Sequence, residues 1–446
     1  VVLGDCYREW GKYGQASECA NQNLAIRQQL DDQVNIADAY FQLGWIYQSW
    51  AKYEQAVNYY QQSRELYQQL GKDKDVANQW SWLGDCYREW GKYGQASECA
   101  NQNLAIRQQL DDQVNIADAY FQLGWIYQSW GKYGQAVNYH QQSRELYQQL
   151  GKDNNVANIW DRLAYCYLKW EKYDQAMECQ QECLRIRKIL NNQPEIADAY
   201  FWIGCIYQDS KSYQLAINAY QESLTFHQQL GQDKSIAKRY RQLAYCQCLL
   251  AKNTPNSTEI SNLLAQAEEN IRQAIEINTT GEYKENLAYD YTTIALLYSE
   301  NLHLLPNEDT SIRENIALFE EYYHKGFTYL DELGQTVNKA DEALDIARAY
   351  LEIEPLENLN RSEEIAQECL QVFREYNRRK LEASACKLLG QIYLKRTQQN
   401  QPGMETIANQ FLGDSLQIYR DLDLEEKAVE VEQLIKILSQ DERKNL

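Results

Sequence analysis

The sequence predicts an all-α fold, a solenoid of about ten helix-turn-helix repeats closed by a C-terminal capping helix. Three observations lead there. Residues recur with a period of 40 over positions 1–250. Apolar residues within each half-period fall at three- and four-residue spacing, one face of a helix. Prolines number 5 in 446 residues, which leaves room for long helices.

The period is visible in Leu3-Gly4, Leu43-Gly44, Leu83-Gly84, Leu123-Gly124, Leu163-Ala164, Ile203-Gly204 and Leu243-Ala244. Tyr13, Tyr53, Tyr93, Tyr133, Tyr173 and Tyr213 follow it, as do Ala16 and its successors. In one unit, Ala37, Tyr40, Leu43, Gly44 and Tyr47 mark a first helix. Lys52-Tyr53 turns the chain. Ala56, Tyr59, Tyr60, Ser63, Leu66 and Leu70 mark a second helix, ended by Gly71. Gly44 and Ala56 sit where the two helices should cross, because a larger side chain there would hold the backbones apart.

Beyond Cys248 the register slips. The stretch 253–257, with Pro255, is a polar insertion and the expected break in the array. Ala267, Ile271 and Ala274 then mark a second helix. Ile294-Ala295 with Tyr298, Ile346-Ala347 with Tyr350, and Leu389-Gly390 with Tyr393 restart first helices. The stretch 424–439 reads as a charged amphipathic helix covering the last repeat. Three regions follow: a regular array over 1–250, divergent repeats over 251–423, and a capping helix with tail over 424–446. Val1 aligns with Ser81, inside a helix, so the sequence reads as part of a longer protein whose missing portion is N-terminal.

Residues 1–80 and 81–160 are identical at 72 of 80 positions. Cores tolerate many hydrophobic swaps, so packing alone does not demand this. Recent duplication is the simplest account.

Net charge is 44 − 64 = −20, and 251–446 carry −16 of it. Such a polyanion disfavours nucleic acid and anionic membrane surfaces as partners. No segment is apolar enough to span a membrane. Cys6, Cys86, Cys166 and Cys246 occupy one place in alternate units, as do Cys19, Cys99 and Cys179, and no C-x2-C occurs. They read as buried packing residues in a reducing, cytoplasmic setting, with no metal site.

Tyr40-x2-Leu43-Gly44-x2-Tyr47 followed by Ala56-x3-Tyr60, and Trp80-x2-Leu83-Gly84-x2-Tyr87 followed by Ala96, resemble the tetratricopeptide repeat (TPR). The period is 40 instead of 34 and the late proline is missing. In this the chain is similar to kinesin light chains, Pins-like adaptors and many bacterial signalling proteins. The resemblance implies a right-handed superhelix whose concave face is lined by the first helices, and a function in binding proteins or peptides.

Positions three and four apart on a first helix share that face. They carry Phe41 and Trp45, then Trp82 and Arg88, then Phe121 and Trp125 in the duplicate. Tyr165, Phe201, Trp202, Lys238, Arg241 and Tyr245 continue the series. Tyr, Trp and Arg are the residues enriched at binding hot spots. Lys238, Arg239 and Arg241 form the basic cluster to which an anionic group would bind. Trp10, Trp50, Trp90, Trp130 and Trp170 are expected in the core.

Catalysis is not expected. His140 and His227 replace Tyr60 and Tyr67 of earlier units, and no phosphate loop, dinucleotide fingerprint, zinc-protease motif or nucleophile elbow occurs. No cofactor is expected either. The resulting expectation is a protein- or peptide-binding scaffold, the C-terminal sensor of a larger bacterial signalling protein with a switch or effector domain upstream. The alternatives are a solenoid sensing a small molecule such as a sugar, and the regulatory region of an enzyme.

Overall fold

The structure is a computed structural model that describes residues 7, 8, 10–304 and 309–445. Val1, Leu3, Gly4 and Cys6 lie outside the described residues. Among those described there are twenty α-helices and no strand. In chain order they are α1 (Tyr13–Gln29), α2 (Gln33–Ser49), α3 (Tyr53–Gln69), α4 (Asp73–Glu89), α5 (Tyr93–Gln109), α6 (Gln113–Ser129) and α7 (Tyr133–Gln149). Next come α8 (Asp153–Lys169), α9 (Tyr173–Ile189), α10 (Gln193–Asp209), α11 (Tyr213–Gln229), α12 (Asp233–Lys252), α13 (Ser257–Thr280) and α14 (Lys284–Leu304). The last are α15 (Asp309–Glu332), α16 (Thr336–Glu352), α17 (Leu359–Glu375), α18 (Arg379–Gln398), α19 (Met404–Asp421) and α20 (Glu425–Asn445). Even-numbered helices from α2 to α18 are first helices, and odd-numbered ones are second helices. Within each of the chain's two compact units, the helices pack mainly on their neighbours in sequence, the pattern of an all-α solenoid.

Most of the links between helices are short, with one residue in a left-handed conformation. Gly91 and Gly131 do so at φ 77°, while Ala51, in the same place, holds φ 56°. Where an aromatic ring of the second helix packs at the crossing, the first helix needs a glycine there. A Cβ on Gly44 would come within 2.7 Å of the Tyr60 ring, and one on Gly204 within 2.5 Å of Tyr220. Tyr60 and Tyr220 are fully buried, and each donates its hydroxyl hydrogen to a first-helix glutamine, Gln48 at 2.8 Å and Gln208 at 3.0 Å. His140 fills the same space against Gly124, and neither ring nitrogen has a hydrogen-bond partner among the described residues.

The chain divides into two compact units, Val1–Ile186 and Arg187–Leu446. The change in repeat regularity near residue 250 is separate from this division. In the second unit the packing continues across the insertion at 253–257. Cys248 and Ala251 before it share one buried cluster with Ile260, Leu264 and Ala267 after it. The Asn256 side chain accepts from the backbone N–H groups of Thr258 and Glu259, so the insertion becomes the N-cap of a lengthened helix. At the C-terminus, Leu424, Ala428 and Val431 bury against Leu412 and Tyr419, so α20 covers the last pair.

The tryptophans before the turns are not core. Trp10 is exposed, and Trp50, Trp90, Trp130 and Trp170 are half-buried. Trp50 stacks on Tyr47 and on Tyr13 of the preceding second helix, and Lys52 lies 3.4 Å from its ring centre. Lys92, Lys132 and Lys172 cover Trp90, Trp130 and Trp170 in the same way. A cation over an indole is compatible with water on one side, which a core position is not. The cysteines behave as packing residues. Cys86, Cys166, Cys246 and Cys248 are buried, and burial pushes the Cys86 and Cys166 thiols up to about 12.

Candidate functional site

In the first unit the first-helix face is built from rungs in which an arginine of one repeat covers a tryptophan of the next. Arg8 lies 3.8 Å over the Trp45 ring, whose other neighbour is Trp82 at 6.3 Å. In the duplicate, Arg88 lies 4.2 Å over Trp125, with Arg162 at 5.9 Å. Phe41 packs on Tyr60 and Trp82, and Phe121 on Trp125 and His140. Gln122 donates to the Ser81 carbonyl at 2.6 Å, and Arg88 pairs with Glu89 at 3.3 Å. Phe41, Trp45, Trp82, Arg88, Phe121, Trp125 and Tyr165 are therefore half-buried, and most of their surface holds neighbouring repeats together. Lys169 stands 5.6 Å over Tyr165.

The second unit is different. A cavity of 680 Å³ opens between its first helices. Three residues singled out by the sequence line it: Lys238, exposed, Arg241, buried, and Tyr245, half-buried, all on α12. Phe201 and Trp202 meet edge to face at 5.3 Å and are not part of its lining. Phe201 is buried between Tyr220 and the Arg239 guanidinium, so its ring is not free surface.

The basic cluster comes apart in three dimensions. Arg239 turns away from the cavity and bonds Asp198 at 3.1 Å and Ser223 at 2.8 Å. Arg241 is paired at 3.1 Å with Asp290, which is fully buried and also accepts from Asn278 at 2.6 Å. Burial raises the Asp290 carboxyl to about 6 even against the pull of Arg241. Lys238 has no carboxylate in ion-pair range among the described residues, and its pKa is lowered by desolvation and by Arg241 and Arg239.

Carboxylates that sequence reasoning missed also line the cavity, on helices other than α12. They are Glu285 on α14 and Glu342 and Asp345 on α16. Glu342 accepts from the Thr292 hydroxyl at 2.5 Å, and no cation among the described residues lies within ion-pair range of it. Burial, with Asp345 and Asp341 nearby, pushes its carboxyl up to about 7. A signal for it existed. Placing Ile294-Ala295-x2-Tyr298 and Ile346-Ala347-x2-Tyr350 on Leu43-Gly44-x2-Tyr47 puts Asp290 and Glu342 at the register of Ala39, Ala119 and Ala199.

Among the described residues no group of three or more His, Cys, Asp or Glu side chains could hold a metal ion, and no helix is long and apolar enough to cross a membrane.

The tetratricopeptide-repeat family model matches residues 1–69, 75–149, 133–189 and 155–229, together half of the chain. No curated protein matches the sequence. Solved structures with a similar fold include the apo form of RapI, at 16% identity and a TM-score of 0.51, covering 68% of this chain and 99% of that one. Aspartyl phosphate phosphatase F from Bacillus subtilis is similar at 13% identity and a TM-score of 0.51, with 83% and 92% covered. A signal-transduction ATPase with a tetratricopeptide-repeat sensor, from Pyrococcus horikoshii, matches at 14% identity and a TM-score of 0.53, over 71% of this chain and 45% of its own. At such identities the likeness is one of fold. Repeat signature, helix pairing and family match agree: this chain belongs to the tetratricopeptide-repeat family.

Proposed function

We propose that the chain is a non-catalytic scaffold that binds a peptide or protein segment on its first-helix face, with the 680 Å³ cavity of the second unit as the main site. One observation carries this reading. In that cavity neither Lys238, which is exposed, nor Glu342, which is half-buried, has an ion-pair partner among the described residues, whereas the charged and aromatic rungs of the first unit are engaged with one another. Partly desolvated charge without a partner costs stability, and the register position of Glu342 accepts alanine elsewhere, so a ligand is the natural partner for it. The family supports protein binding in general terms. The archaeal ATPase, described as having a repeat sensor, supports reading this chain as the sensor part of a larger signalling protein, with a switch or effector domain elsewhere in the polypeptide.

The test is panning of a random heptapeptide library against the purified chain. Enrichment of peptides that compete with one another for a single site supports the reading. No enrichment, together with a thermal shift from a sugar or other metabolite, would favour the small-molecule alternative.

A further inference from the structure

The cavity has charge segregated by helix. Lys234, Lys238 and Arg241 stand at i, i+4 and i+7 on α12, while Glu285, Glu342 and Asp345 come from α14 and α16. The formal charges of the six cancel. The pairing that would neutralise them is incomplete. Arg241 is taken by Asp290, and Asp345 by Arg348 at 2.6 Å. Lys234, Lys238, Glu285 and Glu342 have no opposite charge in ion-pair range among the described residues, and Glu285 accepts only from the Gln335 amide at 3.2 Å.

The register of Glu342 sharpens this. Arg239, Asp290 and Glu342 are charged residues at the same position of three consecutive repeats, where the uncharged Ala39, Gln79, Ala119, Ile159 and Ala199 stand earlier. Arg239 is paired with Asp198, and Asp290 with Arg241. Glu342 is the member of this trio without an ion pair among the described residues, and it lines the cavity. A volume of 680 Å³ accommodates a segment of a few residues or a small molecule.

We propose that this cavity takes a dipolar ligand, one anionic and one cationic group held apart on a short chain, with the anion at Lys234 and Lys238 of α12 and the cation at Glu342 of α16. This deepens the functional reading above and rests on its choice of site. A ligand with a single charge sign would satisfy one set of charges and leave the other unpaired. A bound cation also favours the ionised form of Glu342, which burial now disfavours.

Two probes separate the sources of such a ligand. The first is the heptapeptide library, panned on the full chain and on Lys238→Glu and Glu342→Lys. The second is 6-aminohexanoate, titrated by calorimetry into the same three proteins. The site predicts that peptides carrying both an acidic and a basic residue are enriched on the parent. Lys238→Glu should remove the preference for the acidic residue, and Glu342→Lys that for the basic one, each by tenfold or more. Should either reversal perturb the helical circular dichroism, Lys238→Met and Glu342→Gln replace it, with the same direction of change.

Enriched peptides that carry one charge sign, or that ignore both variants, would overturn the dipolar site and leave the peptide-binding reading standing. Binding of 6-aminohexanoate that both variants abolish, with no peptide enriched, would support the dipolar site and overturn the peptide reading. Failure of both probes overturns both.

Discussion

Replacing His140 by tyrosine should stabilise the first unit, and by more in acid than at neutral pH. His140 is fully buried at a crossing where Tyr60 and Tyr220 serve in other repeats. Those tyrosines donate to Gln48 and Gln208, whereas both ring nitrogens of His140 lack a partner among the described residues. Leaving a buried polar group unsatisfied costs about 1–3 kcal/mol, and His140→Tyr recovers it by bonding Gln128. The space is suitable, because Gly124 stands under His140 as Gly44 and Gly204 stand under the tyrosines. Burial holds the imidazole pKa down to about 3, against 6.5 when exposed. Between those values the unfolded state binds more protons, so stability falls as pH falls from 6.5 towards 3. At about 1.36 kcal/mol per pKa unit, the loss is ~2.7 kcal/mol by pH 4.5. The gain from His140→Tyr should grow by that amount between pH 7.5 and 4.5. Urea melts of parent and variant at both values measure it. Hydrogen exchange over α6 and α7 localises it, since repeat arrays do not unfold as one unit. A variant no more stable than the parent, or a difference that does not change with pH, would refute the reasoning.

Other outcomes follow from the same packing. Ala51→Gly, Glu171→Gly and Lys211→Gly relieve left-handed residues at φ 56°, 62° and 62°, and each should raise stability by about 0.5–1 kcal/mol in thermal melts. Gly131→Ala should lower it by a similar amount. Cys86→Ala and Cys166→Ala should each cost on the order of 1 kcal/mol, and a thiol reagent at pH 8 should modify the half-buried Cys19 and Cys205 before either. The Trp45→Ala/Trp125→Ala pair should cost ~1–2 kcal/mol per residue through lost stacking with Arg8, Trp82, Arg88 and Arg162, well short of the ~3–5 kcal/mol for Tyr60→Ala.

The repeat architecture was legible because positions 1–250 keep strict register, so one aligned unit explains the rest. That small residues at Gly44 and Ala56 mark the helix crossing was readable from residue size alone, whereas the Tyr60 ring that Gly44 makes room for was not. The site was harder. Facing positions can be read from a helical repeat, but whether a facing residue is free depends on the side chains of the adjoining repeats. Trp45 and Trp125 looked like open anchors, yet arginines from the preceding repeat cover them. Arg239 and Arg241 looked like one cluster, yet they reach different neighbours, because residues two apart on a helix point to nearly opposite sides. Glu342 was missed because the facing positions were followed only as far as Tyr245, before the insertion at 253–257. Once Ile346-Ala347 is set on Leu43-Gly44, its unusual register is plain.

If ligand binding belongs to the cavity of the second unit, hydrogen exchange of the full chain with and without an enriched heptapeptide tests it most directly. The expected result is slowed exchange in α12, α14 and α16, centred on the backbone around Lys238, Tyr289 and Glu342, with the first unit unchanged. Protection confined to α2, α4 and α6, or none in α12 and α16, would contradict it.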